Sequence, residues 1–229
     1  MLRHGRTAHN AGGVIQGQLD IPLDPTGLAQ ADAVAAVLAE EPPAVLLTSD
    51  LERASATAAA IGAAAGLDPV VDVRLRELDL GQWQGLTSEQ ARQRFPQQWA
   101  DWRAGKDTPR GGGETYAEAG ARAADCVREH LIDLAEGCTL LAVTHGGTAR
   151  AALGVLLELD PASWGRLAPL GNTCWSVLVE APWGWRLERH NAGLGPLVGA
   201  TSGAADLGAP SSTTTAAAPR PSPDDEPVR

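Results

Sequence analysis

Two histidine-glycine steps stand far apart in the chain, each one residue past an apolar run: His4-Gly5 in "MLRHGRTAHN" and His145-Gly146-Gly147 in "LLAVTHGG". Arg3 and Arg6 flank the first. Arg53 in "LLTSDLERA" and Glu77 in "RLRELDLGQWQG" share the same setting, polar side chains just past an apolar run. Each has an ordinary explanation when taken alone. A histidine beside glycine is commonly a turn residue, and Glu77 can be a surface carboxylate paired with Arg74 or Arg76. Arg53 fits a solvated charge less well, because it opens a helical pattern where the helix dipole disfavours a cation. A bound anion explains its placement better. As a set, two imidazoles, several guanidinium groups and a carboxyl group suit the cleavage of a phosphate monoester. Guanidinium forks hold the phosphoryl oxygens, an imidazole nitrogen attacks phosphorus, and an acid protonates the departing oxygen. The competing signatures GxSxG, HExxH and GxxxxGK[ST] are absent.

The net charge of −10 and a pI near 4.9 argue against nucleic acid or an anionic membrane as partner, so an anion site must be local. Of the 18 basic residues only Lys106 is a lysine, which leaves positive charge almost wholly to the bidentate fork of arginine. Cys126, Cys138 and Cys174 form no CxxC pair and suggest no metal-ligand spacing with histidine. A reducing, cytoplasmic setting with no metal and no cofactor is expected. No run approaches the ~18 apolar residues of a membrane span, and the first residues lack the layout of a signal peptide.

The elements that must position these groups alternate along the chain. "PTGLAQADAVAAVLAEE" reads as a helix with Leu28, Ala31, Ala35 and Leu38 on one face, ended by Pro42-Pro43. "AVLLTSD" is a short buried strand, "LERASATAAAIGAAAG" an Ala-rich helix stopped by Gly66, and "PVVDVRL" another strand. A long amphipathic helix spans "ETYAEAGARAADCVREHLIDLAEG", ending at Gly137. "CTLLAVTHGG" is strand and turn, and "TARAALGVLLEL" is helix. "TCWSVLVEA" and "GWRLERHN", joined at Pro182-Trp183, read as a hairpin. The pattern predicts a three-layer α/β/α sandwich with a mostly parallel sheet, spanning residues 1–198. Residues 199–229, rich in Ala, Ser, Thr and Pro, lack the apolar side chains to offset their ordering entropy and are expected to be a disordered tail. If the strands before His4 and His145 are neighbours, both imidazoles stand over one crevice at the sheet edge where ligands bind.

"LRHGRTAHN", "GQLDIPLDPTG", "LLTSDLERASATA", "RLRELDLGQWQG" and "VTHGG", in this order, resemble the successive motifs of the histidine phosphatase superfamily, in the branch that includes cofactor-dependent phosphoglycerate mutases. The likeness covers about residues 2 to 180. Within that branch "GQLDIPL", "LGQWQGLT" and "LGNTCWSVL" are similar to the actinobacterial glucosyl-3-phosphoglycerate phosphatases. The resemblance implies a phosphoglycerate mutase-like fold and a metal-independent reaction on a small phosphate ester through phosphorylated His4. It further implies that Arg3, Arg53 and His145 hold the phosphoryl oxygens, that Glu77 donates the proton, and that Asn10 and Gln16 line the same pocket.

Family members run a longer apolar strand before the Arg-His-Gly motif, whereas only Met1 and Leu2 precede Arg3 here, which suggests that the natural start lies upstream. The stretch between Glu77 and His145 contains no adjacent arginine pair, which favours hydrolysis over the mutase alternative; an α-ribazole phosphatase and a catalytically weak phosphate-binding protein are the other readings. "RFPQQWADWRAGKDTPRGGGET" is expected to form a helical flap, with Trp99 and Trp102 either packed in the core or serving as a lid, and Trp83 beneath the acid motif. A homodimer is the assembly common among similar proteins.

Overall fold

The computed structural model describes residues 1–194; the expected boundary near Val198 and the tail 199–229 lie outside them. Six strands form one sheet in the order β3-β2-β4-β1-β5-β6. They are β1 (Leu2–Arg3), β2 (Val45–Thr48), β3 (Val70–Val71), β4 (Leu140–Thr144), β5 (Trp175–Ala181) and β6 (Gly184–Ala192). β3, β2, β4 and β1 run parallel, and only β5 opposes its neighbours. The sheet is therefore mostly parallel.

Adjacent side chains of the central strands point to opposite faces, and this divides the core in two. Leu46, Leu141, Val143 and Leu2 pack against Val34 and Ala35 of α2 (Pro25–Leu38) and Ala54, Ala58 and Ile61 of α3 (Glu52–Ala65). Leu47 and Ala142 face the other way. They meet Ala123, Ala124 and Val127 of α6 (Tyr116–Leu131) and Ala152 and Leu156 of α7 (Gly146–Leu156). Three layers result, as the alternation of elements predicts. The many alanines let these helices approach the sheet and each other closely while keeping high helix propensity.

Helix ends follow local chemistry. Asp24 caps α2 by accepting from the Gly27 amide at 2.8 Å, with Pro25 in the first turn, and Gly66 closes α3 in the left-handed conformation at φ 69°. Three details differ from the sequence reading. Leu28 lies on the exposed side of α2, whose buried stripe runs instead through Ala31, Val34 and Ala35. The strand at "PVVDVRL" shortens to two residues, because the Asp72 side chain accepts from the Arg74 amide and turns the chain into a single 3₁₀ turn. α6 ends at Leu131, well before Gly137: Ile132 and Asp133 already form a turn, and with Ile132, Asp133 and Ala135 to Gly137 all exposed a longer helix would bury little.

β1 is short but central. Leu2 pairs with Val143 on one side and Trp175 on the other, and the Met1 carbonyl accepts from the Ser176 amide, which extends the ladder by one step.

Candidate active site

β1 and β4 are parallel neighbours, so His4 and His145 leave the sheet side by side, their ring centroids 5.1 Å apart. Both are buried. Beside His4 opens a pocket lined by Arg3, His4, Asn10, Gln16, Arg53 and Glu77, all expected from the sequence; His145, also expected there, is fully buried against His4 and Arg53 and is not itself among the lining residues. The apolar part of its wall comes from Val14, Ile15, Leu78 and Leu80.

Two glycines bring the pieces close enough. A Cβ on Gly27 would lie 1.9 Å from the Arg6 carbonyl oxygen, and one on Gly147 would lie 2.8 Å from Glu77 Oε1. The backbone after His4 thus packs directly on the start of α2, and the first turn of α7 admits the carboxyl group of Glu77. Thr57 adds a tie: its hydroxyl accepts from the Gly5 amide at 3.1 Å and donates to the Arg53 carbonyl at 2.7 Å.

The two imidazoles are held in opposite tautomers. His4 Nδ1 lies 2.6 Å from the Gly5 carbonyl oxygen, which can only accept, so Nδ1 carries the proton and Nε2 keeps its lone pair. His145 Nδ1 accepts from Arg53 Nε at 3.2 Å. Its proton therefore sits on Nε2, which is buried and has no hydrogen-bond partner among the described residues. Burial, then the charges of Arg53 and Arg3, hold His4 well below the usual histidine range. Burial first, then Arg53, does the same to His145. Both rings are neutral at pH 7, one offering a nucleophilic nitrogen and the other an N–H donor.

Arg53 spends part of its fork on the protein itself, donating to the carbonyls of Leu19 and Gly17 at 2.7 Å each. Those contacts accept some of the positive charge that the helix start disfavours. Burial lowers its pKa to about 10, and it stays charged at neutral pH. Arg3 donates to the Leu170 carbonyl at 2.7 Å. Arg6 turns away from the pocket and pairs with Asp24 at 2.8 Å, so its charge serves the cap of α2. Asn10 Oδ1 and Gln16 Oε1 both lie within reach of the Thr7 hydroxyl, and Asn10 Oδ1 also accepts from Asn172 Nδ2. With their oxygens turned to protein donors, these amides have NH₂ groups to offer an anion.

Glu77 pairs with neither Arg74 nor Arg76, which bind Asp72 and Asp50. Its Oε1 accepts from the amides of Leu78 and Thr148 and from the Thr148 hydroxyl, while Oε2 accepts, among the described residues, only a 3.2 Å contact from the Gly147 amide. Oε2 is the oxygen with room to carry a proton. Arg122 fixes the segment behind it, donating to the carbonyls of Arg74, Arg76 and Glu77 while paired with Glu114 at 2.8 Å.

The flap segment enters the site through different residues from the tryptophans. Trp83 is fully buried, stacks on Trp99 at 5.6 Å and meets Trp102 edge-on at 6.3 Å. These rings form a core under the acid motif and do not line the pocket; Arg110 and Tyr116 do. Sequence reasoning missed both, along with Arg122 and Asn172. The expectation of no cysteine-histidine spacing also needs correction. Cys126 and His130, four apart on α6, lie with Asp72 so that their ligand atoms fall within 4.8 Å of one another. Arg74 clasps that Asp72 carboxylate and burial pushes the Cys126 thiol up to about 12, so the cluster holds together through its own neutral and paired groups. None of the three residues lines the pocket.

Tautomers, guanidinium forks and a carboxyl oxygen meeting in one crevice are the equipment of a phosphohistidine enzyme, and the chain belongs to the histidine phosphatase superfamily (branch 1), whose model matches residues 1–193. It is 38% identical over 208 residues to the glucosyl-3-phosphoglycerate phosphatase of Mycobacterium tuberculosis, an alignment covering 84% of this chain and 93% of that one. A mycobacterial glucosyl-3-phosphoglycerate phosphatase solved with VO3 superposes with a TM-score of 0.80 at 39% identity, covering 84% of this chain and 97% of the other. The metal-independent phosphoserine phosphatase of Arabidopsis thaliana is 35% identical over 71% of this chain and 68% of its own length.

Proposed function

We propose that the protein is a phosphatase that hydrolyses a small phosphate monoester in two displacements, with His4 as nucleophile. The observation that carries this reading is the tautomer pair: a lone pair on His4 Nε2 beside an N–H on His145 Nε2. In the first step His4 Nε2 attacks phosphorus and the ester oxygen departs, taking a proton from Glu77. In the second, water attacks the phosphoryl group on His4, giving its proton back to Glu77, and inorganic phosphate leaves. Arg3, Arg53, His145 Nε2, Asn10 and Gln16 hold the phosphoryl oxygens, with the most benefit when charge is greatest in the transition state.

The substrate is a phosphorylated glycerate derivative, glucosyl-3-phosphoglycerate in the first instance; the relatives so named support this, and the lack of an adjacent arginine pair between Glu77 and His145 favours hydrolysis over mutase chemistry. Three free cysteines support a reducing, cytoplasmic compartment. Sedimentation equilibrium tests the homodimer that the resemblance implies.

Rapid acid-free quenching of a steady-state reaction should trap an acid-labile phosphoryl group on His4. Phosphate on a serine or aspartate would overturn the mechanism. Activity should persist in EDTA, because guanidinium and imidazole groups supply the positive charge at phosphorus; loss in chelator with recovery on adding a divalent metal would count against it.

A further inference from the structure

Arg110 is a buried guanidinium, 3% exposed, that lines the pocket and has no hydrogen-bonded or ion-paired side-chain partner among the described residues. Its stem is steadied instead by the Tyr116 ring, with Cζ 4.7 Å from the ring centroid. The acids nearby in the chain are committed elsewhere. Glu114 pairs with Arg122, Asp107 accepts from the amides of Tyr116 and Ala117, and Asp79 accepts from the Gly81 amide. A buried, uncompensated cation is costly in a folded protein, and sites that keep one are built to receive an anion.

The backbone around it is rigidly seated. Gly111 adopts φ 62°, and a Cβ there would lie 2.4 Å from the Leu80 carbonyl oxygen; one on Gly113 would lie 2.0 Å from that of Asp79. The Gly111 amide also donates to Gln98 Oε1 at 2.9 Å. Arg110 is thereby locked onto the segment just past Glu77. Since Glu77 serves the departing oxygen, Arg110 stands on the alcohol's side of the pocket, while Arg3 and Arg53 belong to the strand ends that hold the phosphoryl group.

Resting on the phosphatase reading above, we infer that Arg110 binds a carboxylate carried by the alcohol half of the substrate and selects phosphate esters that bear one. The guanidinium fork matches the carboxylate bidentately, and the pairing compensates a buried charge. A neutral alcohol in its place would leave that charge uncompensated.

The test compares two esters that differ at one group: 3-phosphoglycerate, and glycerol 3-phosphate, which has a CH₂OH in place of the carboxylate. The full-length wild-type protein should favour the first in kcat/KM by about 10- to 100-fold, the usual worth of a hydrogen bond to a charged group. Arg110→Met should collapse that ratio toward one. Arg110→Lys, which keeps charge but loses the fork, should reduce it several-fold and decides the matter if the methionine variant does not fold. A wild-type ratio near one, or a ratio unchanged in whichever variant folds, would overturn the role of Arg110 while leaving the phosphatase standing. Preference for 1,3-propanediol bisphosphate over its monophosphate, without preference for 3-phosphoglycerate, would replace the carboxylate by a second phosphate and refute the assignment. Absence of turnover on every ester, p-nitrophenyl phosphate included, would bring down the phosphatase reading and this inference together.

Discussion

His4 and His145 occupy matching places at the ends of adjacent parallel strands, yet the structure prepares them for opposite tasks. The first turns Nδ1 to a carbonyl and the second turns Nδ1 to a guanidinium. A carbonyl accepts and a guanidinium donates, so one contact each leaves a lone pair on the outer nitrogen of one ring and an N–H on that of the other. The position at the strand end makes a histidine useful; the neighbour of its far nitrogen makes it specific.

The sharpest way to break this comparison is to remove each ring in turn. His4→Ala should abolish turnover and phosphoryl trapping, since the remaining imidazole, His145, has its lone pair turned to Arg53. A labelled phosphoryl group found on His145 in that variant would show that the tautomers do not separate the roles. Glu77→Gln should lose about 10²–10⁴-fold on an alkyl phosphate, whose alkoxide needs protonating, and much less on p-nitrophenyl phosphate. Equal losses on both would move the proton donor to His145 and undo its reading as a pure hydrogen-bond donor. His145→Ala should cost about 10²–10³-fold, the usual effect of deleting one transition-state donor, and should still trap the phosphoryl group on His4.

Acid titration sharpens the comparison by its sign. Both rings are kept neutral when folded, so below about pH 6.5 the unfolded chain takes up protons that the folded chain refuses. Stability is therefore complete above that pH and declines as pH falls, by up to about 1.4 kcal/mol per pH unit for each ring. His4→Asn should make the acid limb of denaturant-derived stability shallower by about that slope. An unchanged limb would mean that the ring is already protonated in the fold.

The residues proposed to hold the phosphoryl group were legible because their types are chemically distinctive and each follows a readable strand. Arg3, His4, Arg53, Glu77 and His145 come together as the alternation of strands and helices requires. Arg110 escaped because "TPRGGGET" has no periodicity; only the packing of Gly111 and Gly113 against the backbone of Leu80 and Asp79 brings it to the pocket. Arg122 escaped for a different reason. On α6 it reads as a solvated charge, and its three carbonyl acceptors come from a loop some 45 residues earlier. The tryptophans of the same region left two readings open, core or lid, since spacing alone cannot tell a ring packed on Trp83 from one that covers a ligand. The short β3 shows the limit of apolar runs: Val70, Val71 and Val73 are exposed at the sheet edge, where β-branched residues gain little burial.

The central position of β1 bears on how the enzyme is made. His4 is translated early, but the strands on either side of it, β4 and β5, leave the ribosome only when most of the domain has been synthesised. Arg3 reaches its carbonyl acceptor across 167 residues, and Asn172 reaches the His4 carbonyl across 168. Contacts of that sequence separation form late and slow folding. His4 therefore waits, unpositioned, until the last strands arrive, and a chain that stops between α7 and β5 carries every side chain of the proposed site without the pairing that sets them in place.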